Sequence, residues 1–123
     1  MSEPLAGWID GQAAGALPLP DRGLEFGDGL YETLAVRDGR LRLLERHLAR
    51  LAEGCRRLGL ELPARATLLA ELRRAAAVPG AGIVKLTLTR GAGGTGYAAA
   101  AGAAARRIVQ AFPPRVRAPD WAV

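Results

Sequence analysis

A chain of 123 residues, 50% of them hydrophobic, forms at most one ordinary globular domain and is long enough for a core of its own. The formal charge of +5 is carried almost wholly by arginine, but no dense basic run interleaved with aromatic residues occurs, which argues against a nucleic-acid partner. The single cysteine, Cys55, excludes an internal disulfide. Neither a signal-peptide pattern nor an apolar run of membrane-spanning length is present, so the sequence predicts a cytoplasmic protein with no membrane partner.

The first third of the chain is predicted to contain short strands and turns. A strand over 5–9 ends at the turn Asp10-Gly11, and a proline-rich extended segment with at most an edge strand follows over 12–20. A glycine-rich loop then leads into a strand over 30–36, where apolar and small or polar residues alternate. The residues Leu30, Glu32, Leu34 and Val36 fall on one side of this strand, and Tyr31, Thr33 and Ala35 fall on the other.

A hairpin and two helices are predicted next. Asp38-Gly39 favours a tight two-residue turn, because both residue types tolerate left-handed backbone conformations, and 40–43 returns as the partner strand. Apolar residues then recur at steps of four and three, which is typical of one helix face, and Gly59 is expected to end this helix. These residues are Leu44, Leu48, Leu51, Cys55 and Leu58. A second helix is predicted over 64–77, with Pro63 suited to its first turn.

The remainder of the chain is predicted to add two strands. Residues 83–89 alternate between apolar and polar positions, a glycine- and alanine-rich loop covers 90–105, and a last strand covers 106–112. Hairpins beside two helices predict an α+β fold, a two-layer sandwich of a mainly antiparallel sheet with helices on one face.

Three segments carry a resemblance to a known family: DRGLEFGDGLYE over 21–32, ERHLARL over 45–51, and RGAGGTGY over 90–97. Together they resemble the N-terminal part of the fold-type IV pyridoxal-phosphate enzymes, which include D-amino-acid and branched-chain aminotransferases and 4-amino-4-deoxychorismate lyase. The resemblance implies that 1–114 form the N-terminal domain of the D-amino-acid aminotransferase-like fold. Residues 115–123 would begin an interdomain linker, with the C-terminal domain absent.

The resemblance assigns two site residues. In this family the arginine of a His-x-x-Arg-Leu motif binds the phosphate of pyridoxal 5'-phosphate, and the matching residue here is Arg50. A guanidinium suits that role because it offers a planar donor fork to phosphate oxygens. The tyrosine of the GDGxYE motif lines the active site in D-amino-acid aminotransferase-like sequences and touches the substrate carboxylate, which implies that Tyr31 binds substrate. Without the resemblance, Arg50 would be interpreted as an exposed arginine on a basic helix, and Tyr31 would be interpreted as an aromatic residue of the core.

The glycine-rich loop supplies further substrate-side candidates. Its sequence resembles the aminodeoxychorismate lyase branch, but Thr95 stands where that branch often has an arginine, so Arg90, Tyr97 and Lys85 are the remaining candidates. Lys85, the only lysine, is not interpreted as the residue that bonds the cofactor, because the family's Schiff-base lysine lies in the C-terminal domain. No catalytic residue and no metal ligand is therefore assigned in this chain.

The resemblance implies a lyase that eliminates pyruvate from 4-amino-4-deoxychorismate and gives 4-aminobenzoate, a folate precursor. It also implies a homodimer acting on a small-molecule substrate, and the isolated 123 residues are expected to be inactive. Two alternatives remain open. One is a D-amino-acid or branched-chain aminotransferase, which shares the first two motifs, and the other is a non-catalytic α+β module that binds a partner or an anion.

Overall fold

A computed structural model describes residues 3–92 and 104–115. The helices and strands of this part are β1 (Ala6–Ile9), β2 (Gln12–Ala13), α1 (Arg22–Phe26), β3 (Gly29–Arg37), β4 (Arg40–Leu41), α2 (Leu44–Leu58), α3 (Arg65–Ala76), β5 (Ile83–Thr89) and β6 (Arg106–Phe112). The bounds of β5 and β6 agree with the sequence prediction. No helix in this part is long and apolar enough to cross a membrane.

The described strands form one antiparallel sheet in the order β2-β1-β6-β5-β3-β4. Strand register assigns side chains to two faces, because directly paired residues lie on the same face. One row, which faces the core, consists of Trp8, Val109, Leu86 and Glu32. The next row, on the opposite face, consists of Ile9, Ile108, Thr87 and Tyr31. We call this second side the open face.

The helices α2 and α3 cover the other side of the sheet and bury the core. The fully buried residues from both layers include Leu34, Leu51, Leu72, Val84, Leu86, Leu88 and Val109. The expected two-layer α+β sandwich is therefore confirmed. One member of the expected helix face departs from the prediction: Leu58, in the last turn of α2, is 42% exposed. Gly59 follows it in a left-handed conformation, with φ 66°, and ends the helix as predicted.

The hairpin turn is as predicted, but its return strand is shorter. Asp38 and Gly39 both have positive φ, 53° and 72°, as the tight turn requires. β4 stops at Leu41 rather than at residue 43, because Leu43 adopts a left-handed conformation, with φ 54°, directly before α2. This residue turns the chain out of the sheet and onto the helical layer.

Two other differences concern helix beginnings. α1 was not predicted: its five residues are too few for a hydrophobic period, and it is fixed instead by Asp21, whose side chain accepts a hydrogen bond from the backbone N–H of Leu24. α3 begins at Arg65 after Ala64 as N-cap, so Pro63 lies just outside the helix rather than in its first turn.

Candidate functional site

A cluster of three polar side chains joins α2 to β3. His47 and Arg50 are three residues apart and lie on the same side of α2. Both reach Glu32 on β3: His47 Nδ1 donates to Glu32 Oε1 at 2.7 Å, and Arg50 Nε donates to Oε1 at 2.9 Å and to Oε2 at 3.0 Å. Glu32 is only 8% exposed, so its charge is compensated by these donors rather than by water.

This cluster fixes the orientation of Arg50. Arg50 Nη2 lies 2.8 Å from Glu32 Oε1, so the carboxylate holds one edge of the guanidinium, while the side chain as a whole stays 70% exposed. The hydrogen bond that Arg50 donates to Glu32, reinforced by the negative charge of Glu32, raises the pKa of Arg50 above its usual value. The result is a permanently charged donor group that is oriented before any anion binds.

Tyr31 precedes Glu32 on β3 and therefore lies on the opposite face of the strand. Its side chain is 62% exposed, and the Nζ atom of Lys85 lies 4.9 Å from the centroid of its ring. β4 pairs only with Val36 and Arg37, so the preceding part of the β3 edge has no strand partner among the described residues. Arg50, which reaches the neighbouring Glu32, and Tyr31 therefore lie on opposite faces of the sheet at consecutive positions of β3.

Gly54 lies one turn beyond Arg50 inside α2, where a glycine costs helix stability relative to alanine. The neighbour is the side chain of Leu30, because a Cβ atom on Gly54 would overlap Leu30 Cδ1. The missing side chain therefore allows α2 to pack closely on β3, next to the Glu32 cluster.

Arg90 makes extensive contacts within the domain. Its Nε donates to Asp28 Oδ2 at 2.8 Å, and its Nη1 and Nη2 donate to the carbonyls of Gly59 and Leu58 at 3.1 and 2.5 Å. The side chain is 13% exposed. Arg90 therefore ties the end of β5 to the loop before β3 and to the C-terminal end of α2. The structure does not present it as an open donor for substrate.

A second buried network surrounds Asp21. Its carboxylate is 1% exposed and, besides capping α1, accepts hydrogen bonds from Thr89 Oγ1 and Arg106 Nη1, both at 2.8 Å. Asp28 similarly accepts from Arg22 Nε at 3.0 Å as well as from Arg90. The two aspartates of the DRGLEFGDG segment therefore fix α1 and the entry to β3 against the ends of β5 and β6.

Sequence reasoning missed three of these carboxylates: Glu32, Asp21 and Asp28. The signal for Glu32 was present, since it is a charged residue between Leu30 and Leu34 on an apolar strand face. Such a residue has to find a partner when the face is buried. Tyr97, the remaining candidate for substrate binding, lies outside the described residues.

Two other features, Cys55 and a cavity beside β1, lie outside the cluster of Glu32, His47 and Arg50. Cys55 is buried in the core, where burial raises the pKa of its thiol, and it is not an accessible nucleophile. A cavity of about 360 Å³ opens between β1, β6 and residues 14–17, but none of its lining residues is charged. Neither feature offers a binding group for an anion.

Comparison with known proteins adds independent information. The model of the family described as amino-transferase class IV matches residues 29–122. A structure titled as 4-amino-4-deoxychorismate lyase from Pseudomonas aeruginosa superposes with a TM-score of 0.80 at 55% identity, over 87% of this chain and 39% of the other. The aminodeoxychorismate lyase of Vibrio harveyi is 29% identical over 90 residues, which cover 73% of this chain and 33% of the relative.

A third similarity shows that the cofactor occurs in this group. A hypothetical aminotransferase from Mycobacterium tuberculosis, solved in its pyridoxal-phosphate-bound form, superposes with a TM-score of 0.72 at 28% identity, over 88% of this chain and 39% of the other. The chain thus spans between one third and two fifths of the length of these three proteins. Since the family model covers most of the chain, the protein belongs to the class IV aminotransferases, the fold-type IV pyridoxal-phosphate enzymes.

Proposed function

We propose that this chain is the N-terminal domain of a 4-amino-4-deoxychorismate lyase, which eliminates pyruvate and releases 4-aminobenzoate. The observation that carries the proposal is Arg50, which is exposed and oriented by the buried Glu32 at the position where the family motif has its phosphate ligand. The higher identity to the Pseudomonas lyase, 55% against 28% for the aminotransferase, supports the choice of reaction.

The residues of the cluster fit the phosphate of pyridoxal phosphate. A phosphate group accepts charge-assisted hydrogen bonds, and Arg50 offers a donor edge that Glu32 does not occupy. Glu32 lowers the entropic cost of binding, because it already restricts the long Arg50 side chain. When bound, the cofactor supplies an electron sink for the substrate carbon skeleton.

The other residues of this chain have separate roles in the proposal. Tyr31 donates its phenol hydrogen to a substrate carboxylate, because it is exposed beside the unpaired edge of β3. Arg90 acts as a positioning residue, since its contacts tie the end of β5 to the loop before β3 and to the C-terminal end of α2. The lysine that bonds the cofactor belongs to a C-terminal domain in this proposal, and the active enzyme is a homodimer.

The test is to express the protein from its complete reading frame and supply 4-amino-4-deoxychorismate with pyridoxal phosphate. The expected result is equal amounts of pyruvate and 4-aminobenzoate. Measuring 4-aminobenzoate is essential, because transamination of D-alanine also gives pyruvate. A protein that forms no 4-aminobenzoate at saturating substrate contradicts the proposal.

The second candidate is a D-amino-acid or branched-chain aminotransferase. It is favoured by the structural similarity to the pyridoxal-phosphate-bound aminotransferase, with a TM-score of 0.72. Transfer of the amino group from D-alanine or L-leucine to 2-oxoglutarate, without 4-aminobenzoate formation, would select this candidate. If both reactions are absent and the protein does not bind pyridoxal phosphate, a non-catalytic module is the better description.

A further inference from the structure

We propose that His47 is a positioning residue for the cofactor phosphate, because it holds the Glu32 carboxylate in the orientation that directs Arg50 toward solvent. The inference rests on the proposed function for the identity of the ligand, the phosphate of pyridoxal 5'-phosphate. It extends the phosphate site to a side chain that acts through Arg50.

The donors of the cluster share one carboxylate oxygen. Glu32 Oε1 accepts from His47 Nδ1 at 2.7 Å and from Arg50 Nε at 2.9 Å, and Arg50 Nη2 lies 2.8 Å from the same atom. The position of Oε1 therefore determines where the guanidinium lies. His47 is the donor that fixes this oxygen independently of Arg50.

Burial shows which end of the cluster is the anchor. The side chains of His47 and Glu32 are 15% and 9% exposed, whereas that of Arg50 is 70% exposed. Arg50 and Glu32 alone could turn together about the rotatable bonds of both side chains, since the hydrogen bonds between them would move with them. A second, buried donor from α2 removes this freedom, because the carboxylate is then held at two points.

The origin of both α2 side chains is fixed by the core. Leu48 and Leu51, which follow His47 and Arg50 in the sequence, are 8% and 0% exposed, so their packing sets the rotation of the helix. The backbone N–H of His47 also donates to the carbonyl of Leu43 at 3.1 Å, in the first turn of α2. His47 is thus a short, rigid side chain on an immobile part of the backbone.

The consequence for a phosphate is a guanidinium ordered before binding. Glu32 occupies Nε and one side of Nη2, which leaves the donors of Nη1 for the ligand. Ordering one long side chain in advance changes affinity by about two- to tenfold. The effect of His47 is therefore expected to be smaller than the loss of Arg50 itself.

The experiment titrates the full-length apoprotein with pyridoxal phosphate and compares three substitutions of His47. His47→Ala is expected to weaken cofactor affinity about two- to tenfold. His47→Asn should restore most of the affinity, because an asparagine amide nitrogen takes the place of Nδ1. His47→Gln should not restore it, because its amide nitrogen takes the place of Nε2 instead.

Melting temperatures separate this role from a purely structural one. Glutamine is closer to histidine in size than asparagine is, and it is the better helix former. A residue that only packs or supports α2 would therefore favour His47→Gln over His47→Asn in both stability and affinity. The positioning role predicts the opposite order for pyridoxal-phosphate affinity.

A double-substitution cycle tests whether His47 acts through Arg50. In an Arg50→Ala background, His47→Ala is expected to cause no further loss of pyridoxal-phosphate affinity, since the group that it positions is absent. Losses that simply add would show that His47 acts independently and would overturn the inference. If His47→Ala does not fold, His47→Asn and His47→Gln are compared in both backgrounds instead.

The outcomes distinguish this inference from the proposed function. If His47→Gln binds pyridoxal phosphate as tightly as His47→Asn does, or more tightly, the inference is wrong. If the expected order is found but no 4-aminobenzoate is formed, the inference holds and the lyase proposal fails. If 4-aminobenzoate is formed and cofactor affinity does not depend on His47, only the inference fails. A wild-type protein that does not bind pyridoxal phosphate overturns both.

Discussion

At the scale of single residues, the buried carboxylate of Glu32 determines how the exposed Arg50 is oriented. An arginine free in solvent samples many conformations, and ordering it on binding costs conformational entropy. Glu32 removes much of that cost for Arg50 by holding Nε and Nη2. The pair is therefore best described as one preformed donor group, in which Glu32 sets the orientation of Arg50.

The first prediction concerns this donor group. Arg50→Ala in the full-length protein is expected to weaken pyridoxal-phosphate affinity about tenfold or more, because a charge-assisted phosphate contact is lost. Arg50→Lys should recover only part of the affinity, since a lysine cannot offer a planar fork. Titration of the apoprotein measures the effect, with Arg46→Ala as a control on the same helix. Equal affinities of the two alanine variants would remove Arg50 from the site.

The second prediction concerns Asp28 and acid stability. Burial alone would raise the pKa of Asp28, but hydrogen bonds and charge from Arg90 and Arg22 outweigh burial and leave the pKa below 3.8. The pKa of Asp28 is lower in the folded protein than in the unfolded chain, where it is near 3.8. Ionised Asp28 therefore contributes its full stabilisation above the unfolded pKa. This contribution is lost as the pH falls through the folded pKa.

Asp28→Asn is therefore expected to destabilise the domain at pH 6 and to approach the wild-type stability as the pH falls below 3.8 and through the folded pKa of Asp28. Urea denaturation across this pH range measures the difference. Asp38→Asn, in the exposed hairpin turn, is the control and should run parallel to the wild type. A constant difference between Asp28→Asn and the wild type at all pH values would contradict the assignment.

At the scale of elements, the sequence determined most of the sheet and both long helices. β5 was predictable because Leu86 and Leu88 alternate with polar residues, β6 because Pro113 and Pro114 close it, and α2 because its buried residues follow the helical period up to Gly59. α1 could not be predicted in this way, because capping by Asp21 and its contacts with Thr89 and Arg106, 68 and 85 residues away, hold it in place.

The candidate site was predictable only in part, because it also depends on contacts between residues that are far apart in the sequence. Arg50 and Tyr31 were identified from local motifs, whereas the contact of Glu32 with α2 depends on how a helix packs on a strand 15 to 18 residues away. The tertiary contacts of Arg90 also have no local signature, so a loop arginine was interpreted as a substrate ligand. Local sequence thus indicates which residues could bind a ligand, but not which of them already form hydrogen bonds within the domain.

The third prediction tests the packing at the entry to β3. A Cβ atom on Gly29 would overlap the carbonyl oxygen of Leu88 and crowd the Cα of Thr89, and backbone atoms cannot move aside as a side chain can. Gly29→Ala is expected to lower the free energy of unfolding by about 1–3 kcal/mol, the usual effect of overpacking. The measurement is chemical denaturation.

Gly15→Ala provides the matched control, because nothing lies within 4 Å of its added Cβ. Both substitutions remove the same backbone freedom from the unfolded chain, so their difference reports the clash alone. If both variants were equally stable, the close approach of β3 and β5 at this position would be disproved.

At the scale of the whole molecule, the candidate binding groups lie on both faces of the sheet. Arg50 lies in the helical layer, and Tyr31 and Lys85 lie on the open face, where α1 also contacts the end of β5 at Thr89. We expect these groups to bind ligand without performing the chemistry, since none of them is a base placed beside a second reactive group in the described structure.

The fourth prediction follows for a polypeptide of residues 1–123 mixed with pyridoxal phosphate. A lysine attacks a carbonyl only as the free amine, which is about one part in a thousand of an ordinary lysine at pH 7. We therefore expect no saturable modification of Lys85 after borohydride reduction and peptide mass mapping, beyond slow labelling of accessible amines. Stoichiometric labelling that disappears in Lys85→Ala and accompanies turnover would overturn the domain assignment.

The unpaired edge of β3 has a consequence for how this part of the surface can vary. The peptide groups around Glu32 lack a neighbouring strand on this edge among the described residues. Main-chain donors and acceptors are the same whatever side chain a residue carries. The side chains along the edge can therefore be exchanged while the main-chain groups that it presents stay the same.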